Sequence, residues 1–369
     1  VTRTIYVPLT GQADNVGDVV LRRRLVQAVA PLGRLEVLVE RADDDYVAGL
    51  RLPTGSVVHT SFLPWARAAT AGAAGRRTAA LVLNAGEIAS SRSQGRRALL
   101  TLPAVVAGRL RGTPTVRAGL GARDRVAPWS LAHQAVVSAA TLNVWRDHES
   151  RRLYHHGWVA PDWAFDDADS RPAAAPRPLL ALGYRGDRPA PSSAALEHVA
   201  AWAASRGLRP VVVSQVASDV TRNEQIAAAL GCEHVGDRHA DLAERERAAR
   251  EVYRSAAVVA SNRVHALIIG FTEGASPAGL VPTPDVKIGR TLDAAGLPPC
   301  VLDAPASGTP EVRGFLDGVL THLTGLEQVR ERAAVWVREM EDAVRTTVVE
   351  GPASRGRGRS AVTVTGATA

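Results

Sequence analysis

Short apolar runs alternate with helical-period segments along most of this chain. The first run, Thr4 to Leu9, ends in the turn-rich Gly11 to Asp18, after which Val19, Val20, Leu25, Val26 and Val29 recur at helical spacing. Leu35 to Val39, Ser56 to His59 and Ala80 to Leu83 predict further strands, the last stopping at Asn84-Ala85-Gly86-Glu87. Leu99 to Leu110 predicts a helix, and Pro114 to Arg117 a strand stopping at Ala118-Gly119-Leu120-Gly121. Thr141 to Trp145 predicts a strand ending at Arg146-Asp147, with a helix starting near Glu149. Strands alternating with helices imply βαβ units and a largely parallel sheet.

Asp166 to Pro178, rich in Pro and small residues, reads as a linker. Beyond it the alternation restarts. Leu179 to Tyr184 and Arg209 to Ser214 predict strands, while Ala194 to Arg206, Thr221 to Leu230 and Leu242 to Ala256 predict helices. A short apolar run, Ala256 to Ala260, predicts a buried strand that feeds Ser261-Asn262-Arg263-Val264-His265 and the helical Ala266 to Gly270. The organisation expected is an N-terminal α/β domain over 1–165, a linker over 166–178 and a second α/β domain over 179–305. Closing helices over 306–350 follow, the last packing back on the first domain, and then a tail, 351–369, of disordered composition. No internal repeat is visible, and 369 residues suit two domains with a cleft between them.

Composition narrows the function classes. A hydrophobic content of 46% and charged content of 22% fit a soluble globular protein, and no apolar run reaches membrane-span length. The first five residues are too short an apolar stretch for a secretory signal. Cys232 and Cys300 have neither metal nor redox spacing, which points to a reduced, cytoplasmic setting. Net charge is +7, but Arg355, Arg357 and Arg359 of the tail supply three units of it. With no basic block and no recognition motif, nucleic acid is not an expected partner; an anionic small substrate or an anionic membrane surface fits better. Metal ligation is not expected either, because His155-His156 has no Cys or carboxylate at ligand spacing.

Candidate chemistry gathers at strand ends. Arg185 follows one strand, Arg263 and His265 another, and Lys287 is the single lysine among 44 Lys plus Arg. Guanidinium forks match carboxylate and phosphate, and a helix start adds N–H groups suited to anions. In the first half, Asn15-Val16-Gly17-Asp18 places a glycine and a carboxylate at a helix start, and Glu87 sits beside another glycine. The plainer alternatives are an N-cap role for Asp18, a cap at Asn262, and a solvated helix face for Arg263 and His265.

The series resembles the polysaccharide pyruvyltransferases. The resemblance rests on Asn15-Val16-Gly17-Asp18, Val144-Trp145-Arg146-Asp147 with Ser150, Ala160-Pro161-Asp162 with Ala164-Phe165, Leu182-Gly183-Tyr184-Arg185, Ser261-Asn262-Arg263-Val264-His265-Ala266, and Lys287. It implies two Rossmann-like α/β domains in a GT-B-like arrangement with the active site in the interdomain cleft. It also implies transfer of pyruvate from phosphoenolpyruvate to two hydroxyls of a sugar, forming a cyclic ketal, without metal or organic cofactor. Arg185, Arg263, His265 and Lys287 would hold phosphoenolpyruvate, His265 acting as the acid. Asn15, Gly17, Asp18 and Glu87 would face the acceptor, with Asp18 positioning or deprotonating a hydroxyl. The acceptor would be a glycan or lipid-linked saccharide at the inner membrane face. Two features depart from the family: Asn84-Ala85-Gly86-Glu87 replaces a glycine run, and Thr272 to Ser276 lengthens the turn before Pro277. Two other readings keep the fold: a glycosyltransferase with a nucleotide-sugar donor and Glu273 on the ribose, and an inactive glycan-binding or assembly protein.

Overall fold

The computed structural model describes residues 3–40, 43–75, 78–83, 85–167, 169–172, 176–282, 286–303, 310–321 and 325–351. Asn84, parts of the expected linker, residues 283–285 ahead of Lys287, and the tail beyond 351 lie outside the described residues. The first half runs β1 (Thr4–Pro8), α1 (Val16–Val29), β2 (Arg34–Leu38), α2 (Asp44–Gly49), β3 (Val57–His59), α3 (Phe62–Gly75), β4 (Ala79–Leu83), β5 (Gly86–Ile88), α4 (Arg92–Arg111), β6 (Thr115–Ala122), α5 (Trp129–Ala139), β7 (Leu142–Trp145), α6 (His148–Tyr154) and β8 (Trp158–Val159). A 3-10 turn, Trp163–Asp166, closes it. The second half runs β9 (Leu179–Gly183), α7 (Ser193–Ser205), β10 (Arg209–Val213), α8 (Val220–Leu230), β11 (Glu233–Val235), α9 (Leu242–Arg254), β12 (Ala256–Ser261), α10 (Val264–Thr272), β13 (Ser276–Val281), α11 (Val286–Asp293) and β14 (Val301–Asp303). Two helices follow, α12 (Pro310–Thr321) and α13 (Leu326–Glu350).

Strands such as β4 and β12 are buried at every position. Continuous small and branched apolar runs of this kind suit parallel strands covered on both faces. The first sheet is ordered β3-β2-β1-β4-β6-β7-β8, with β5 paired to β6, and the second β11-β10-β9-β12-β13-β14. Pairing within both is parallel. Each half thus repeats the doubly wound order, although no repeat is visible in the sequence.

Two expected boundaries are corrected. Strand β6 does not stop at Ala118 but continues through its glycines to Ala122. It passes them with a register shift at Gly119, whose φ is 76° and where a Cβ would lie 2.4 Å from the Trp163 ring. Only glycine meets both demands. Likewise Pro277 does not end a lengthened turn: it sits within β13, buried between β12 and β14.

One apolar core runs through both halves, and the rings of Phe165 and Phe271 meet edge-on across their junction at 5.8 Å. Helix α1 lies against the second half and is buried nearly all round, including three successive arginines. Successive helical residues point about 100° apart, so each arginine needs its own carboxylate. Arg22 pairs with Asp18, Arg23 reaches Glu246 on α9 at 2.6 Å, and Arg24 meets Asp166 and Glu341 of α13. Glu246 also accepts from Arg250 at 2.9 Å, and Arg250 binds Glu273 at 2.7 Å and Asp167. Buried pairs of this kind fix a unique geometry more than they add net stability. Here they hold the two halves in register. Among the described residues no helix is long and apolar enough to cross a membrane.

Candidate functional site

Where strand order reverses, the flanking helices leave to opposite faces and open a crevice at the strands' carboxyl ends. That point lies between β1 and β4 in the first sheet and between β9 and β12 in the second. The candidate residues fall on the segments that leave these strands, in the connecting loops and the first turns of the elements that follow. Asn15, Gly17 and Asp18 follow β1, Glu87 follows β4, Arg185 follows β9, and Arg263 and His265 follow β12. Lys287 stands apart on α11.

The two edges meet at one place. An antiparallel bridge joins Asn15 to Val216, and Val16 N–H donates to the Gln215 carbonyl at 3.4 Å. Asn15 is the N-cap of α1, its side chain accepting from Gly17 N–H at 3.0 Å. A Cβ on Gly17 would lie 2.3 Å from the His265 Cβ, so the close neighbour for which this glycine leaves room is His265 of the other half. Asp18 is not the cap. It accepts from Gln12 N–H at 2.7 Å and pairs with Arg22 at 3.3 Å. Burial works against its charge, but Arg22 and then His265 outweigh burial and hold the carboxyl below its ordinary range.

His265 does not lie on a solvated helix face. Its side chain is 12% exposed, and its Nε2 stands 3.8 Å from Oδ2 of the fully buried Asp162. Arg146 donates to the same oxygen at 3.1 Å. Burial opposes a charge on Asp162, yet His265 and Arg146 keep it ionised well below the usual carboxylate range. The charged row continues to Glu87, 3.7 Å from Arg146 and 3.5 Å from Lys287. Burial likewise opposes charge on Glu87, and Lys287, Arg146 and Arg123 overcome it. Lys287 and Glu87, expected on opposite substrates, are therefore joined across the cleft.

The arginines expected to share one dianion are each occupied within their own half. Arg263 is held by Asp219, with Nη2 to Oδ1 at 2.7 Å, and Arg185 makes two bonds to Asp187, at 2.8 and 2.7 Å. Asn262 does not cap α10; its side chain accepts from Arg185 N–H at 2.9 Å. Glu273, the expected ribose ligand of the nucleotide-sugar reading, is fully buried among Arg250, Arg254 and the Arg171 N–H, which removes it from that role. Asp162, Arg146 and Asp219 carry the geometry, yet nothing in the sequence marks them as site residues: Pro161-Asp162 and Arg146-Asp147 occur in the motifs of the resemblance without a role of their own. Among the described residues no group of three or more His, Cys, Asp or Glu side chains could hold a metal ion.

A cavity of about 620 Å³ opens at the carboxyl edge of the first sheet. Phe62, Trp65, Leu38 and Leu83 form an apolar wall, and Arg22, Glu87, Arg117 and His133 bring polar groups into it. Arg117 rises from the middle of β6, 4% exposed, with its guanidinium carbon 5.4 Å from the Trp145 ring.

No protein-family model matches this sequence, and no curated protein matches it. Solved structures do match in fold. A glycosyltransferase from Rickettsia africae ESF-5 is 10% identical, with a TM-score of 0.58 over 95% of this chain and 99% of that one. A UDP-GlcNAc 2-epimerase from Neisseria meningitidis, bound to UDP-GlcNAc, is 7% identical, with a TM-score of 0.56 over 94% and 100%. HepE from Anabaena, in complex with UDP, is 11% identical, with a TM-score of 0.52 over 94% and 98%. The fold is GT-B-like: two Rossmann-like, parallel-sheet domains with a cleft between them. The same comparisons overturn the pyruvyltransferase identification, and with it phosphoenolpyruvate as donor and a cyclic ketal as product. The matching structures that cover this fold almost end to end include a glycosyltransferase, a rhamnosyltransferase and a UDP-GlcNAc 2-epimerase, and one more is in complex with UDP. The misreading has a physical root. The quoted motifs are switch-point loops, helix caps and buried ion pairs, which a doubly wound pair of domains needs whatever its donor.

Proposed function

We propose that this chain is a nucleotide-sugar-dependent glycosyltransferase, with donor on the second-half wall of the cleft and saccharide acceptor on the first. The observation that carries the reading is the pair of doubly wound sheets whose carboxyl edges face one cleft, in a fold shared with UDP-bound enzymes over nearly the whole chain. The large first-half cavity favours transfer over epimerisation. An epimerase rearranges one substrate, whereas a transferase must seat a second, and about 620 Å³ is within the ordinary range for a small-molecule site.

In this reading the donor diphosphate lies toward the amino end of α10, where unsatisfied N–H groups and the helix dipole favour negative charge. Arg263 is the N-cap of that helix, and the Arg185 N–H donates to the neighbouring Asn262 side chain. The acceptor hydroxyl attacks the anomeric carbon, the bond from that carbon to the diphosphate oxygen breaks, and the nucleoside diphosphate leaves with its electron pair. His265 takes the hydroxyl proton, and the buried Asp162 carboxylate orients the imidazole and stabilises the imidazolium. Asp18 and Asn15 position the acceptor. The unpaired Cys232 and Cys300 fit a cytoplasmic enzyme.

The test is turnover. Purified protein is incubated with UDP-, GDP- and dTDP-sugars and a panel of saccharides, and release of nucleoside diphosphate is followed by chromatography. Release that depends on an acceptor, and is lost in His265→Ala, supports the reading. An epimerised donor without transfer would replace it with the epimerase alternative. No reaction with nucleotide sugars, alongside phosphate release from phosphoenolpyruvate, would overturn it.

A further inference from the structure

The first-half cavity carries two side-chain nitrogens that no described residue satisfies. Among the described residues, Arg117 Nη1 is buried without a hydrogen-bond partner, and so is His133 Nε2. Both side chains line the cavity, one from β6 and one from α5. The other cations around it are already matched: Arg22 by Asp18, and Arg97 by Glu40. Glu87 is matched in turn by Arg123 and Lys287. Around Arg117 no acidic group among the described residues offsets the charge; the Trp145 face, the Tyr154 hydroxyl and the His133 imidazole lie near. Burial lowers its pKa to about 10, which still leaves it charged at neutral pH. Burial, and then Arg117 itself, push His133 down to about 4, so its imidazole is neutral. A buried guanidinium without an anion is costly to maintain, and a protein interior seldom keeps one.

We propose that this cavity selects an acidic sugar as acceptor, its carboxylate seated on Arg117 and a hydroxyl on His133 Nε2. One uncompensated positive charge fits a carboxylate monoanion better than a phosphate dianion, and the planar fork matches two carboxylate oxygens. The apolar wall of Phe62, Trp65 and Leu38 fits a sugar ring face beside the charged end. This inference rests on the reading of the cavity as the acceptor site, but not on the identity of the donor.

The full-length protein is titrated by calorimetry with glucuronate, glucuronamide and glucose 6-phosphate. Glucuronate is expected to bind at least about tenfold tighter than the amide, the scale of one charged hydrogen-bonded pair. Arg117→Met is expected to abolish that preference, bringing glucuronate down to the affinity of the amide, and to leave thermal stability equal or higher because a buried charge is gone. Equal binding of acid and amide by the wild-type protein would overturn the proposal without any variant being needed. Glucose 6-phosphate binding as tightly as glucuronate would overturn the choice of carboxylate. A wild-type acid preference retained in Arg117→Met would place the anion elsewhere and refute the site. Acid preference without any nucleotide-sugar turnover would leave this inference standing and remove the glycosyltransferase reading; acceptor-dependent turnover without acid preference would do the reverse.

Discussion

On the second sheet, Arg263 and Arg185 leave the carboxyl edge and are at once clasped by Asp219 and Asp187 of the same half. On the first sheet, Arg117 stands at an equally buried strand, over the Trp145 ring, and no acidic side chain among the described residues pairs with it. Strand order is the same in both, so topology alone does not decide where charge awaits a ligand. The difference lies in where acidic residues fall. The second edge neutralises its own arginines and presents a helix amino end, while the first encloses a cavity where Arg117 is unmatched among the described residues. Between them, His265 and Asp162 bring the two edges together at the point where Gly17 leaves room.

The comparison breaks most sharply if the meeting point is removed. His265→Ala is expected to lower turnover about 10²- to 10⁴-fold while nucleotide binding stays near wild type, as measured by steady-state kinetics and calorimetry. A next-largest effect is expected from Glu246→Ala, which strips the acceptor shared by Arg23 and Arg250 and unfastens the halves. Loss of about 3 kcal/mol in chemical denaturation is the expected result, since each arginine loses an anion while buried. Gly17→Ala forces a methyl into the His265 side chain. It should cost about 1–3 kcal/mol of stability and reduce turnover, because either α1 or the imidazole must shift.

The smallest effect concerns pH. His133 binds its proton in the unfolded chain near pH 6.5 but, when folded, only near pH 4. Between those values the unfolded state holds more protons, so stability is intact above about pH 6.5 and falls as pH drops toward 4. Denaturation at stepped pH should show that loss, and His133→Gln should flatten the slope by about 1–2 kcal/mol across the window.

Much of the fold was legible because parallel strands write themselves as short apolar runs, as at Ala80 to Leu83 and Ala256 to Ala260. Alanine-rich helices did not show. In Phe62–Gly75 the buried stripe of Trp65, Ala66, Ala69 and Ala73 is masked in the sequence, because alanine stands on the exposed face as well, and in Trp129–Ala139 the buried face includes the polar Ser130 and His133. The loops bearing Asn15, Gly17, Asp18, Arg185, Arg263 and His265 were legible as strand ends with polar residues. Their partners were not, because Asp162 and Asp219 come from distant segments, and pairing is a property of the fold. One signal was available for the cavity: an arginine at position 117 inside an otherwise small and apolar strand asks for an anion. The identity of the donor is not legible in short motifs such as Asn15-Val16-Gly17-Asp18 and Ala160-Pro161-Asp162, because they also serve capping and buried pairing.

The most direct measurement of the central claim is calorimetric titration of the full chain with UDP-GlcNAc, GDP-mannose, dTDP-glucose and phosphoenolpyruvate under one buffer condition. The account predicts saturable binding of at least one nucleotide sugar and no saturable binding of phosphoenolpyruvate. Tight binding of phosphoenolpyruvate with none of the nucleotide sugars would contradict it.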